Sequence, residues 1–373
     1  MTNGNKVLGI VFPNMHDEAV KELTELRTTA SIPFGGRYRL IDFTLSEFVA
    51  AGVSNVCLVV KRNYVSLMNH LGSGREYDLA RKNGGLRIFP PFAESGMRSY
   101  KGKIEALNNI LTFIDENGRD TVILADSGIV SCIDYKDVLE KHYEKGAQIT
   151  AIYKTEKITT CSEKDNVTFE IGDDDRITGV YVNENRGVVA NNAMWAYVIN
   201  KKLLVELVHE CYKKGFINFE NDVLQKNTEN LKIYGYSYTG YLSRIQSLKC
   251  YFDANMDLLD KRVMDSLFSQ HPVYTKIRDD APARYLRGSS VKNDIVADGC
   301  CIEGYVEHSV LFRGVKIGKG AIVTNCVLMQ DAVVEDGAIL ENVICDKKAV
   351  ITKDKRLIGD ANHPVFVGKK EIV

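Results

Sequence analysis

Over the first two thirds of the chain, short β-rich apolar runs alternate with stretches of helical pattern. The runs Val7 to Phe12, Asn55 to Val60, Asp120 to Ala125, Ile149 to Tyr153 and Ala193 to Ile199 predict strands. Helices are predicted between them, at about Asp17 to Leu26, Tyr64 to Leu71, Gly102 to Ile114, Tyr135 to Lys145 and Lys201 to Lys214. This alternation predicts an α/β fold, a mostly parallel sheet covered by helices on both faces. Asn166 to Val182 alternates apolar and polar residues around Gly172-Asp173-Asp174-Asp175, which reads as an inserted hairpin with an acidic turn. One last long helix is predicted from Ile245 to about Phe268, and Thr275 to Ser290 reads as an extended linker.

The remaining residues change character. Apolar residues recur every six positions, at Val315, Ala321, Val327, Val333, Ile339 and Cys345, with a second register at Ile322, Leu328, Val334 and Leu340. With turn residues at Gly314, Gly318, Gly320, Asp336 and Gly337, this repeat predicts a parallel β-helix whose stacked coils close a core. A β-sandwich has period two and does not repeat persistently at six. Cys300 and Cys301 are expected on one coil, one facing in and one out. The predicted organisation is therefore an α/β domain over residues 1–274, a linker over 275–290 and a β-helix over 291–373.

Charge narrows the partners. The 373 residues hold 48 Lys and Arg against 49 Asp and Glu, so no overall field gathers nucleic acid or an anionic membrane, and an anionic ligand has to be held locally. The nine cysteines are scattered without metal-binding spacing and read as reduced, buried, small hydrophobes. The first residues lack a leader pattern and no apolar run approaches the ~20 residues of a membrane span, so a cytoplasmic location is expected.

Three motifs carry a family resemblance. Ile32-Pro-Phe-Gly-Gly-Arg-Tyr-Arg-Leu-Ile-Asp-Phe-Thr-Leu-Ser46 closely resembles the segment P-F-G-G-K-Y-R-I-I-D-F-x-L-S-N of ADP-glucose pyrophosphorylases. Tyr100-Lys-Gly-Lys-Ile-Glu-Ala106 resembles their Y-x-G-T-A-D-A, and Tyr251-Phe-Asp-Ala-Asn-Met-Asp-Leu-Leu259 their Y-W-x-A-N-x-D-L-L. The resemblance spans essentially the whole chain. It implies a Rossmann-like nucleotidyltransferase domain with a mixed, mostly parallel sheet, joined to a left-handed β-helix of hexapeptide repeats. Members of the family join glucose 1-phosphate to ATP, so their catalysis rests on positioning and on neutralising phosphate charge with Mg²⁺ and cations.

Measured against that pattern, the chemistry is missing. Where active members carry the phosphate loop G-G-x-G-T-R-L, this chain reads Asn14-Met-His-Asp-Glu-Ala-Val20, with no glycine between Ile10 and Phe34. Asp17 and Glu18 are expected to favour the first turn of a surface helix. The family's R-A-K-P-A becomes Arg27-Thr-Thr-Ala-Ser31, so Thr29 replaces a cation. Arg244 stands where a metal-binding Asp is expected, and an Arg repels a hard cation. Val180-Tyr-Val-Asn-Glu-Asn-Arg186 holds no sugar-phosphate E-K-P. Asp126 is ambiguous, either a displaced metal residue facing Arg244 or a turn residue. Gly35, Gly36, Tyr100, Gly102 and Asp126 are therefore candidates for a vestigial nucleotide pocket. Arg37 and Arg39 are candidates for anion or effector binding, since family arginines here lie near an effector pocket between the domains; the alternative for both is a solvated surface.

Losing both the loop and the metal Asp costs several orders of magnitude, each such contact being worth roughly 10² to 10⁵ in rate. The resemblance thus implies a non-catalytic, regulatory subunit that assembles with a catalytic homologue, as a hetero-oligomer and by resemblance a tetramer. No cofactor is expected on this chain, Mg²⁺ belonging to the catalytic partner. An active ADP-glucose-forming enzyme is the alternative. A β-helix acyltransferase with His308 as base is a more distant one, because it leaves the first 260 residues unexplained.

Overall fold

The computed structural model describes residues 4–82, 84–91, 100–159, 165–184 and 187–373. Nine strands build the main sheet: β1 Val7–Phe12, β2 Asn55–Val59, β3 Gly85–Phe89, β4 Thr121–Asp126, β5 Ile149–Lys157, β6 Val167–Ile171, β7 Ile177–Val182, β8 Val189–Asn200 and β9 Ile233–Ser237. Their order is β7-β6-β8-β4-β1-β2-β3, with β5 paired to both β8 and β9. The strands β4, β1, β2 and β3 run parallel, while β8 runs antiparallel to β4 and closes the parallel half. β1, β2 and β4 are buried along their whole length, which is why they are apolar apart from Asn55, Thr121 and Asp126 at the ends of β2 and β4. The predicted insertion is the β6–β7 hairpin, turning at Asp173–Asp175.

The helices are α1 Lys21–Thr24, α2 Leu40–Ala50, α3 Val65–Leu71, α4 Lys103–Asn109, α5 Leu111–Glu116, α6 Tyr135–Glu144, α7 Lys201–Lys213, α8 Leu248–Asp257 and α9 Lys261–Phe268. The single long helix expected after Ile245 is instead two, because the Asp260 side chain accepts a hydrogen bond from Arg262 N and starts α9 afresh. Among the described residues no helix is long and apolar enough to cross a membrane.

The C-terminal strands stack into three parallel five-stranded sheets around one core, the left-handed β-helix of hexapeptide repeats. Here the strict six-residue reading needs correction. Ile317, Val334 and Ile351 stack directly, 17 residues per coil, so one of three faces is a residue short. A register kept at six therefore drifts outward: Val333 and Ile339 are half-buried, whereas Val334 and Leu340 face in. The short corner is built by Asn293, His308, Asn325 and Asn342, all in the left-handed backbone region that asparagine tolerates best. Asn342 Nδ2 donates to Gly359 O at 3.0 Å, and His308 is an exposed rung bonded to Asn293 at 2.9 Å, a structural place rather than a cleft.

The two parts share a hydrophobic cluster, in which Phe34, Phe43, Tyr251 and Leu258 pack with Val310, Phe312, Val327 and Ile344. Cys57, Cys132, Cys211, Cys300, Cys301, Cys326 and Cys345 are free thiols, and Cys300 faces in while Cys301 is half-buried. Cys250, against expectation, is disulfide-bonded. Cys161 lies outside the described residues.

Candidate functional site

The loop after β1 is closed by its own side chains. Asn14 Oδ1 accepts from Lys61 N at 2.9 Å, and its amide donates to Asp17 Oδ2 at 2.7 Å. Asp17 Oδ1 in turn accepts from both the backbone and the hydroxyl of Thr29, at 2.9 and 2.8 Å. Asp17 is buried, and burial raises its pKa against the pull of these hydrogen bonds. Only Glu18, exposed and paired with Arg62, keeps the surface role expected of both acids. Thus Asp17 and Thr29, at two positions where phosphate-binding groups are expected, bind each other.

Beside this loop lies a cavity of about 300 Å³ with Asp126, the last residue of β4, in its wall. The Asp126 carboxylate holds His16 Nε2 at 3.1 Å and Lys103 Nζ at 3.1 Å. Lys103, near the start of α4, also reaches Glu220 Oε1 at 2.5 Å, and Tyr197 OH donates to the same oxygen at 3.2 Å. His16 stacks on Trp195 with ring centroids 3.9 Å apart. Burial opposes charge on His16, yet Asp126 and Asp165 leave its pKa raised; Lys103 is raised likewise by Asp126 and Glu220. Trp195 sits at φ +51°, where the β8 ladder slips between Ala193 and Tyr197. A bulky residue in the left-handed region is an outlier held only by its surroundings, which here aim the indole into the cavity.

Arg244 does not face Asp126. Its guanidinium pairs with Glu156, donates to Ala193 O at 2.9 Å and lies 5.8 Å from the Trp195 ring centroid. Tyr100 is buried with its hydroxyl on Val59 O at 2.8 Å. Gly102 packs against the backbone of Ile217, whose carbonyl oxygen would lie 2.2 Å from any added Cβ. Both keep the strand–helix junction in place. Among the described residues no cluster of three or more His, Cys, Asp or Glu is arranged to hold a metal.

A second cavity, of about 240 Å³, lies between the two parts of the chain and is lined by Arg37, Arg39, Lys276, Arg278, Arg313 and Lys347, with His70 beside them. Gly35 and Gly36 turn the chain into it with φ +57° and +81°. The turn is held by the other family-like segment: Asn255 Oδ1 accepts from Gly35 N at 3.0 Å, and Tyr251 OH donates to Pro33 O at 2.8 Å. Arg39 donates to Ser66 O at 2.7 Å, while Arg37 is exposed. Burial, reinforced by Arg39 and Arg27, pushes Lys347 down to about 7. Asp42 accepts from His70 and from the Tyr77 hydroxyl, each at 2.6 Å, and fixes the histidine. Next to this cavity Arg27 grips Asp346 through two hydrogen bonds of 2.7 and 2.6 Å, both partners buried.

The structure thus brings Arg37 and Arg39 together with four cations that sequence reasoning missed, because Lys276, Arg278, Arg313 and Lys347 lie in a linker and on coils with no local motif. Gly36 lines this second cavity, with Gly35 beside it in the same turn, whereas Asp126 lines the first, and Tyr100 and Gly102 line neither. The first cavity's Lys103 did have a signal: a Lys in Tyr100-Lys-Gly-Lys-Ile-Glu-Ala106 where the similar family motif has Thr. Trp195 and Glu220 had none.

Residues 20–178 match the nucleotidyl transferase family, and residues 280–363 match the GlmU-like C-terminal hexapeptide family. The glycogen biosynthesis protein GlgD of Bacillus subtilis (strain 168) is 32% identical over 98% of this chain and 96% of its own length. The glycogen biosynthesis protein GlgD of Geobacillus stearothermophilus is 36% identical over 86% of this chain and 83% of its own length. A glucose-1-phosphate adenylyltransferase of Clostridium perfringens (strain 13 / Type A) is 28% identical over 100% of this chain and 95% of its own length. The chain belongs to the ADP-glucose pyrophosphorylase (glucose-1-phosphate adenylyltransferase) family, among its GlgD-type members.

Proposed function

We propose that this chain is a non-catalytic, regulatory subunit that assembles with a catalytic glucose-1-phosphate adenylyltransferase in glycogen biosynthesis, and that its interdomain cavity binds an anionic effector. One observation carries the reading. The loop that would cradle a triphosphate is tied shut by Asp17 and Thr29, while the cavity between the domains gathers six cationic side chains. Five positive charges crowd about 240 Å³ beside the Lys347 amine, which burial and the cations next to it hold near neutrality, and a multiply charged anion relieves that repulsion. The cavity touches both parts of the chain, so an anion there biases their relative arrangement, and a subunit without its own chemistry can pass that bias to a neighbour.

Co-expression with a catalytic homologue from the same organism, followed by affinity capture on a tag carried by this chain alone and by sizing, tests the partnership. The expected result is co-purification as a complex larger than either chain alone. Recovery of this chain free of the homologue would remove the subunit reading.

A further inference from the structure

The family's divalent metal does not fit the first cavity as it stands, because a side chain already fills the place of a cation. Lys103 is 3% exposed, and its ammonium lies between two carboxylates, 3.1 Å from Asp126 Oδ2 and 2.5 Å from Glu220 Oε1. The stem passes the rings of Phe12 and Tyr197, with Nζ 5.9 and 5.4 Å from their centroids, so the amine is held in an apolar collar. On the other side of Asp126, His16 bonds the same oxygen. Asp126 Oδ1 is buried and has no hydrogen-bond partner among the described residues, so this carboxylate keeps one free oxygen of the kind a hard cation binds.

We propose that Lys103 is a built-in counter-cation, a tethered substitute for a divalent ion that lets the Asp126–Glu220 carboxylate pair stay buried without metal and keeps metal out. An ammonium on a lysine stem is a compact point charge. It satisfies two carboxylates as a bound ion would, yet it cannot leave, offers no open coordination position and polarises no bound phosphate or water. The pocket is then fixed in a metal-independent state by one residue. Removing the amine should expose a latent oxygen site made by Asp126 and Glu220.

The prediction is read on the chain by itself, so it fails or holds independently of any partner subunit. Tb³⁺ is the probe, because it seeks hard oxygen ligands and its emission is sensitised by a nearby indole. The chain has one tryptophan, Trp195, stacked on the histidine that bonds Asp126. Wild type should give no saturable sensitised emission. Lys103→Met should give it, with a dissociation constant at least about tenfold below the highest Tb³⁺ concentration at which wild type stays dark, equal to ~1.4 kcal/mol, and adding Asp126→Asn should abolish it. Lys103→Arg, which keeps the charge, should stay dark. A Lys103→Met chain that does not fold in chelator should regain its circular dichroism on adding Mn²⁺, which then stands in for the amine. Saturable, Asp126-dependent Tb³⁺ binding by wild type overturns the proposal. So does a folded Lys103→Met chain that stays dark, or an unfolded one that Mn²⁺ does not rescue.

Discussion

Replacing Arg27 with Met should loosen the join between the two halves of the chain. Arg27 lies just after the closed loop, and its guanidinium makes two hydrogen bonds of 2.7 and 2.6 Å to Asp346 at a corner of the β-helix. Side-chain exposure is 4% at both ends. Removing one partner of a buried pair leaves the other charge stranded, a loss of about 3–5 kcal/mol. Two features place the expected value near the lower end. The Lys347 N–H still donates to Asp346 at 2.6 Å. The Lys347 amine, discouraged from charging by burial and by Arg39 and Arg27, charges more readily once Arg27 is gone. Met keeps an apolar stem of similar length, and the change removes the guanidinium with its bonds to Asp346 and its 3.7 Å contact to Met329 Sδ. Equilibrium urea unfolding, followed by Trp195 fluorescence for the first domain and by far-ultraviolet circular dichroism for the whole chain, should show a loss of ~3 kcal/mol. The two transitions should move apart, because only the shared hydrophobic cluster is left to couple the halves. In a double-mutant cycle, Arg27→Met with Asp346→Leu should recover most of the loss, since an apolar pair of similar volume is often neutral or better. Single variants within ~0.5 kcal/mol of wild type, the range of surface pairs, or strict additivity in the cycle, would refute the reasoning.

Asp17→Ala strands the Thr29 N–H and hydroxyl and should cost about 1–3 kcal/mol of stability in the same urea assay; an unchanged midpoint would mean the loop is not held by this carboxylate. Lys347 falls from its ordinary 10.5 to about 7, so between those values the unfolded chain holds a proton that the folded chain has released. Stability should therefore rise with pH across that window, and Lys347→Met should flatten the rise. An anion in the cavity favours the charged amine, so binding of sulfate, whose own charge does not change in this range, should weaken from about pH 6 to about pH 8 and take up a proton when followed by calorimetry; pH-independent affinity would contradict this. Arg37→Ala, exposed and free of the fold's internal bonds to Ser66 that engage Arg39, should blunt the response of the mixed complex to an anionic effector without preventing assembly. Saturation curves identical to wild type would return Arg37 to a solvated surface.

How much was legible follows from where each interaction lies along the chain. Continuously apolar strands such as Val7–Phe12 and the stacked β-helix positions announce themselves, because burial on both faces or at a fixed repeat writes itself into consecutive residues. The β-helix was read with one error, since a strict count of six cannot reveal that one face is short by a residue. The strands Gly85–Phe89 and Ile233–Ser237 were missed because their half-buried edges carry Arg87 and the tyrosines Tyr234 and Tyr236 among the apolar positions. The absence of a glycine loop was plain in the sequence, but not what replaced it. That Asp17 turns inward to Thr29, and that Arg244 pairs with Glu156 instead of facing Asp126, depends on partners 12 and 88 residues away. The interdomain cavity is more distributed still, with Arg39 and Lys347 meeting only because Asn255 and Tyr251 hold the Pro33–Gly36 turn against the β-helix side of the molecule.

The central claim is that this chain lends regulation but no chemistry, and ADP-glucose formation from ATP, glucose 1-phosphate and Mg²⁺ tests it most directly. The chain alone should stay at background. Added to the catalytic homologue it should raise maximal rate or substrate affinity severalfold, a coupling of roughly 1–3 kcal/mol. A turnover near ~1 s⁻¹ by the purified chain, the low end of ordinary enzymes, or a mixture whose kinetics equal those of the catalytic homologue alone, would contradict the account.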